Sequence, residues 1–200
     1  MGFGTGGKGF PHYLAENLSE TSMTMFLKAR ITALEALQFL RESNRELGKN
    51  DFYVIQLGAG DHHPLIQLNL PKGMRKRHIF RIVRKVGLSK NKTPYNEYRE
   101  TINQIFKIIY NQGGKLLWIS TLQGYRFSPI ERKRQRKYYR DVFFESKYSS
   151  NRRIQILDLN ENLSKRLIAK DLIHPSKEGQ IFIAQVILNN LDHMMREDLQ

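Results

Sequence analysis

The chain has 200 residues, of which 40% are hydrophobic, 26% are charged and none is cysteine. This composition favours one packed globular domain over residues 1–200, and it excludes disulfide bonds, thiolate metal sites and a cysteine nucleophile. Lysine and arginine outnumber aspartate and glutamate by 33 to 19, a formal net charge of +14, and no apolar run reaches the roughly 18 residues of a membrane-spanning helix.

Short apolar runs rich in branched and aromatic residues predict buried strands. Three of them border glycine or polar turns, and they cover residues 51–57, 115–121 and 153–159. A weaker run at 23–29 predicts a fourth strand. Continuous apolar character is typical of parallel strands that helices cover on both faces.

Amphipathic patterns around these runs predict helices. They cover residues 32–47, 95–111 and 177–195, and another helix begins near Pro11. Strands that alternate with helices predict an α/β fold, a three-layer α/β/α sandwich with a central parallel sheet. In such a fold, functional sites gather at the carboxyl ends of the strands.

The positive charge is concentrated in two segments. Residues 72–92 hold nine lysines and arginines and no acidic residue, and residues 126–140 hold seven against Glu131 alone. Such clusters attract an anionic partner, and the candidates are nucleic acid, a phospholipid surface and an acidic polymer. The alternative is that the charged residues only form a solvated surface. The first cluster lies in a basic insertion at about 62–93, where a lid or a substrate-facing element is expected.

The segment Asp171-Leu172-Ile173-His174-Pro175 is the first candidate for catalysis. An aspartate three residues before a histidine can bind one imidazole nitrogen and leave the other free to act as a base. The constrained loop and the apolar helix that follows strengthen this interpretation. The alternative is a histidine that only helps to cap the helix.

A second candidate is the glycine loop Gly58-Ala59-Gly60-Asp61, which follows the strand at 51–57. Backbone N–H groups at the carboxyl end of a strand can face a developing oxyanion, and a plain glycine turn is the alternative. The glycine-rich opening at 2–9 lacks the spacing of a phosphate-binding loop, so nucleotide binding is not expected, and no other cofactor is indicated.

These features, in this order along the chain, resemble the SGNH, or GDSL, hydrolase family over most of the sequence. Its members are three-layer α/β/α esterases and acyl hydrolases, so the resemblance implies ester hydrolysis. It implies that His174 is the catalytic base and that Asp171 orients it. It also implies that the loop containing Gly58, Gly60 and Asp61 supplies oxyanion or substrate-binding groups.

The sequence departs from the family in three places, and the first is that the glycine of the family's second block has no clear counterpart around residues 29–31. Gly60 stands where the family has an oxyanion-binding asparagine, and no Gly-Asp-Ser block with its nucleophilic serine is present. The opening segment resembles what directly follows that block. Either a first strand and a serine lie upstream of Met1, or the chain has lost both; Thr5 is a further, less favoured nucleophile.

We therefore expect an SGNH-type serine ester hydrolase, truncated at its N-terminus, that acts on O-acylated carbohydrate or lipid. The alternative is a catalytically inactive module that uses the basic segments to bind an anionic polymer, a membrane surface or nucleic acid. Because the sequence as given has no secretion signal, a cytoplasmic location is expected.

A metal site is a further alternative. It would combine Asp61, His62 and His63 with Asp171 or His174, whose oxygen and nitrogen atoms are plausible ligands if the two loops meet. Adjacent histidines rarely bind one ion together, so no metal is expected.

Overall fold

The structure, a computed structural model, describes residues 9–18, 31–43, 52–62, 64–65, 90–121, 127–171 and 174–196. The helices are α1 Phe10–Asn17, α2 Ala33–Ser43, α3 Tyr95–Asn111, α4 Pro129–Arg136, a π-helix Lys137–Asp141, α5 Val142–Phe144, α6 Leu159–Asn162, a 3₁₀ turn Lys165–Leu167 and α7 Lys177–Arg196. The strands are β1 Phe52–Ile55, β2 Pro64–Leu65, β3 Lys90–Asn91, β4 Lys115–Ser120 and β5 Ile154–Asp158. None of these helices is long and apolar enough to cross a membrane.

The sheet that organises the described residues is parallel, with β4 between β1 and β5. Every residue of β4 is buried, which explains its continuous apolar sequence. In the ladder, Phe52 lies opposite Lys115 and Leu116 lies opposite Ile154, so the three strands end at one edge. We call this the carboxyl edge of the sheet.

Helices cover both faces of this sheet, as the sequence predicted. Leu116 and Trp118 of β4 pack with residues of α2, α3 and the π-helix. The alternate residues Leu117 and Ile119 pack with α1 and α7. Because successive side chains of a strand point to opposite faces, one buried strand joins the two apolar clusters into a three-layer α/β/α domain.

Helix α7 runs antiparallel to the strands. The buried ammonium group of Lys115, at the start of β4, donates to the backbone carbonyl of Met194 at 2.7 Å. The C-terminal end of α7 therefore lies at the opposite edge of the sheet, and its cationic partner suits the negative end of the helix dipole. The 20 residues of α7 span about 30 Å, so its first turn reaches the carboxyl edge.

Most predicted elements are confirmed. The strands predicted at 51–57, 115–121 and 153–159 appear as β1, β4 and β5, and the helices predicted at 95–111 and 177–195 appear as α3 and α7 with almost the same bounds. The helix predicted at 32–47 appears as α2 as far as it is described. The strand predicted at 23–29 lies outside the described residues.

The ends of the basic insertion lie side by side. Strands β2 and β3 form a short antiparallel ladder in which Pro64 is opposite Asn91. Thr93 then donates its backbone N–H to the carbonyl of Asp61 at 3.0 Å. The two ends of the insertion thus lie together beside the glycine loop, and residues 66–89 lie outside the described part.

Candidate active site

Asp171 and His174 form a hydrogen-bonded pair. The imidazole Nδ1 of His174 lies 2.6 Å from Oδ2 of Asp171, and the other oxygen of the carboxylate accepts the backbone N–H of His174 at 3.0 Å. The carboxylate therefore fixes both the backbone and the ring. The His174 side chain is 48% exposed, so about half of it is accessible to solvent.

The loop that carries this pair is tied to the first turn of α7. Ile168 and Pro175 form an antiparallel bridge, and Ser176 donates its backbone N–H to the carbonyl of Leu167 at 2.8 Å. Gly179 faces that same carbonyl so closely that a Cβ atom would overlap it. Because α7 begins at the carboxyl edge, His174 lies at the edge where parallel α/β folds place their sites.

Helix α1 enters the fold at the same place. The backbone N–H of Phe10 donates to Oε1 of Gln180, in the first turn of α7, at 2.9 Å. Leu14 then packs into the apolar cluster of α7. The N-terminal end of α1 therefore lies beside the first turn of α7, which begins a few positions along the chain from His174.

The glycine loop follows β1 at the carboxyl edge. Gly58 has φ of +102°, in the left-handed region that favours glycine. A Cβ atom there would lie 2.7 Å from the Tyr139 ring and 2.9 Å from the carbonyl oxygen of Tyr138. Gly58 is thus required by conformation and by the close approach of the π-helix, and Gly60 is buried in the same turn.

Asp61 holds this loop to two other segments. The side chain is 1% exposed; Oδ2 accepts the backbone N–H of Ala33 at 2.9 Å, and Oδ1 accepts the hydroxyl of Thr93 at 2.7 Å. Burial raises the pKa of Asp61, although these two hydrogen bonds oppose the increase. With both oxygens bound inside the protein, the carboxylate of Asp61 fixes the position of the glycine loop.

Replacing Asp61 with alanine is expected to lower the free energy of unfolding by about 3 kcal/mol, because Ala33 N–H and the Thr93 hydroxyl lose a buried acceptor. Asp61→Asn should cost less, since its amide oxygen keeps one of the two bonds. Urea denaturation monitored by circular dichroism measures both differences. An alanine variant as stable as the wild type would contradict this role.

The difference in stability between the wild type and Asp61→Asn also depends on pH. Because the pKa of Asp61 is raised in the folded protein, the folded state binds more protons than the unfolded state above the ordinary pKa of 3.8. The contribution of Asp61 to stability therefore falls as pH rises through its folded pKa. The advantage of the wild type over Asp61→Asn should narrow from acidic to neutral pH, and a widening gap would contradict the direction of the shift.

His62 lies in a polar cluster that the sequence did not predict. Its Nδ1 is 3.1 Å from the carbonyl oxygen of Gly58 and 3.0 Å from the Tyr139 hydroxyl, and its Nε2 is 3.4 Å from the amide nitrogen of Gln135. The cluster connects the glycine loop to α4 and the π-helix. A capping box at Ser128 and Glu131, with Pro129 at the first helical position, is the sequence signal that could have located α4.

The proposed metal ligands are not gathered into one site in the described part of the chain. It contains no group of three or more histidine, aspartate or glutamate side chains placed to hold an ion. His62 instead contacts Gly58 and Tyr139, and Asp61 is bound by Ala33 and Thr93. His63 lies outside the described residues.

No protein-family model matches the chain, and no curated protein matches it. Solved structures of other proteins do match the chain. A protein assigned to the lipolytic G-D-S-L family from Desulfitobacterium hafniense DCB-2 is 17% identical with a TM-score of 0.57, and the match covers 92% of this chain and 93% of that one. A psychrotrophic esterase from Pseudoalteromonas sp. is 15% identical with a TM-score of 0.53, covering 94% and 88%.

An acetyl xylan esterase is 11% identical with a TM-score of 0.55, and the match covers 91% of this chain and 90% of that one. At such low identity the likeness concerns the fold. The chain has an SGNH/GDSL hydrolase-like fold, an architecture found in ester hydrolases, as the motifs around positions 58 and 174 predicted.

Proposed function

We propose that this domain belongs to a serine ester hydrolase in which His174 transfers protons and Asp171 orients it. The observation that carries the proposal is the 2.6 Å contact between His174 Nδ1 and Asp171 Oδ2, on a half-exposed ring at the carboxyl edge. With the Nδ1 proton held by the carboxylate, Nε2 carries the lone pair that accepts a proton from the attacking hydroxyl.

The nucleophile is proposed to be a serine supplied by residues ahead of Met1. The bond from Phe10 to Gln180 supports this, since it holds the N-terminal end of α1 beside the start of α7. Ser120 ends β4 at the same edge, but its side chain is fully buried and cannot reach an ester. Thr5, the other candidate, lies outside the described residues.

In the proposed reaction, the serine oxygen attacks the acyl carbon while His174 takes its proton. His174 then gives that proton to the departing alcohol, which leaves an acyl-enzyme. Water attacks the acyl carbon with His174 again as base, and the carboxylic acid and free serine result. Backbone N–H groups of the loop at Gly58 and Gly60 are proposed to stabilise the negative oxygen of each tetrahedral intermediate.

Glycine at position 60 removes the side-chain donor that the family places there. Loss of one such donor typically lowers a rate by on the order of 10² to 10³, so we expect slower turnover than in relatives that keep the asparagine. The substrate is proposed to be an O-acylated carbohydrate or a lipid, which is supported by structural neighbours described as an acetyl xylan esterase and a lipolytic protein.

The coding DNA upstream of Met1 provides the first test. We expect an in-frame Gly-Asp-Ser, and the protein that includes it should hydrolyse a short-chain aryl ester and gain the mass of one phosphonyl group on treatment with a fluorophosphonate. The adduct should map to that serine.

Absence of the motif, together with absence of hydrolysis, would refute the proposal that the protein is an esterase. It would favour the inactive binding module. Hydrolysis without a labelled serine would refute the proposed nucleophile while leaving an esterase. The serine→alanine variant of the same protein is the matched control for both measurements.

A further inference from the structure

The second basic segment forms a helical surface with one exposed stripe. Helix α4, the π-helix and α5 run continuously from Pro129 to Phe144. On the inner side, Gln135, Tyr138 and Val142 are buried against the domain. The exposed residues of this segment are Pro129, Ile130, Lys133, Arg136, Lys137 and Phe144, and we call four of them the basic stripe: Ile130, Lys133, Lys137 and Phe144.

The stripe carries positive charge that the neighbouring carboxylates do not neutralise. Arg136 contacts Asp141 at 3.1 Å and Arg140 contacts Asp158 at 2.7 Å, which uses both of those acidic side chains. Lys133 and Lys137 have no ion pair with any carboxylate in the described residues. Lys137 lies over the ring of Tyr95, with 5.6 Å between its nitrogen and the ring centroid.

Apolar side chains border these lysines. Ile130 is 47% exposed and Phe144 is 50% exposed, one at each end of the stripe. The guanidinium of Arg140 lies 4.6 Å from the centroid of the Phe144 ring. Large apolar side chains combined with lysine and arginine are typical of a helix that rests on a lipid surface.

The helical surface that carries the stripe packs against the residue that follows the glycine loop. On the opposite side of α4, Gln135 contacts His62, which directly follows the glycine loop. Tyr139 of the π-helix accepts a hydrogen bond from Trp118 of β4 through its backbone carbonyl at 2.7 Å. These contacts fix the helical surface to the glycine loop and to β4, while the stripe remains on the opposite, exposed side.

We propose that the basic stripe docks onto an anionic lipid surface. Lys133 and Lys137 attract the negative headgroups, and Ile130 and Phe144 enter the boundary between headgroups and acyl chains. Charge complementarity supports an anionic partner, and the exposed apolar pair favours lipid over a soluble polyanion. This docking does not depend on the chain's being an esterase.

The test is sedimentation of the protein with vesicles of phosphatidylglycerol and phosphatidylcholine in equal parts, or of phosphatidylcholine alone. We expect binding only to the anionic vesicles, and weaker binding as salt shortens the Debye length from about 10 Å at about 0.1 M to about 3 Å at about 1 M. The double change Lys133→Glu with Lys137→Glu should lower the partition coefficient by about 30-fold or more.

The matched control reverses two exposed cations elsewhere, with Lys107→Glu and Arg152→Glu. It has the same net charge as the stripe variant and should bind substantially better. Equal losses in the two variants would overturn the proposal, as would no binding at low salt. Unfolding midpoints of both variants, measured in urea, verify that each is folded.

The pair Ile130→Ser and Phe144→Ser separates a lipid from a soluble polyanion. We expect it to weaken vesicle binding about tenfold while leaving retention on immobilised heparin unchanged. Retention on heparin without any vesicle binding would overturn the proposal of a lipid partner. It would indicate a soluble anionic polymer instead. Because neither measurement involves turnover, failure of the esterase proposal leaves this test intact.

Discussion

Replacing His174 with alanine is expected to lower kcat/KM for a short-chain aryl ester by on the order of 10³-fold or more, the range in which general acid–base catalysis contributes. The imidazole is the group proposed to remove the proton from the attacking oxygen. Its ring is held by Asp171 at 2.6 Å and is half exposed, so its removal should change little else in the fold. Rates of the wild type and the variant, measured with the protein that includes the upstream serine, provide the comparison.

His193→Ala is the matched control, because this exposed histidine lies near the far end of α7. It should retain wild-type rates. Equal rates in His174→Ala and the wild type would remove His174 from the mechanism. Equal losses in the two histidine variants would indicate a general effect of histidine removal instead.

Asp171→Asn gives a second measurement on the same pair. Its carboxylate accepts both the His174 ring and the backbone N–H, whereas an amide offers one acceptor oxygen and a donor nitrogen. If the amide nitrogen faces Nδ1, the ring proton moves to Nε2, which can then no longer accept one. The ¹⁵N chemical shifts of His174 should therefore show a change of tautomer along with the loss of activity.

The layers of this fold could be predicted because their signals are local. The buried residues of β4 form a continuous apolar run, and the buried side of α3 repeats at helical spacing through Tyr98, Ile102, Ile105, Phe106 and Ile109. Such patterns depend only on which residues face the core. The pairing of Asp171 with His174 is local as well, since the two residues are three positions apart.

The surroundings of the glycine loop could not be predicted because they come from distant parts of the chain. Asp61 is bound by residues 28 positions before it and 32 positions after it. His62 contacts Gln135 and Tyr139, which are more than 70 positions away. From the sequence we expected the loop with Asp61 to supply oxyanion or substrate-binding groups. No pattern near position 61 indicates that its carboxylate is buried.

The helical structure from Pro129 to Phe144 was not predicted, because this part of the sequence was interpreted by its charge alone. Seven basic residues in the segment 126–140 direct attention to an anionic partner. The same segment contains a capping box, and two neighbouring tyrosines, Tyr138 and Tyr139, are both buried. The π-helix brings the carbonyls of these tyrosines to Tyr98 and Trp118, and this contact depends on side chains in α3 and β4.

Replacing Gly58 with alanine is expected to lower the free energy of unfolding by about 4 kcal/mol. Two costs add at this position. The φ of +102° strains any residue with a Cβ, and that Cβ would overlap the Tyr139 ring and the carbonyl of Tyr138. The π-helix would have to move away from the loop, which would also disturb the contacts of His62. Urea denaturation of the two proteins gives the difference.

Gly113→Ala is the matched control, because Gly113 also has a positive φ of +79°, while the nearest atom to an added Cβ is Arg153 Nη1 at 3.9 Å. It has the conformational strain without the overlap, so it should cost about 1 kcal/mol. A much larger loss of unfolding free energy in Gly58→Ala than in Gly113→Ala would therefore measure the close approach of the π-helix to the loop. Equal costs at the two glycines would mean that the approach is loose, and that the π-helix does not hold the glycine loop in place.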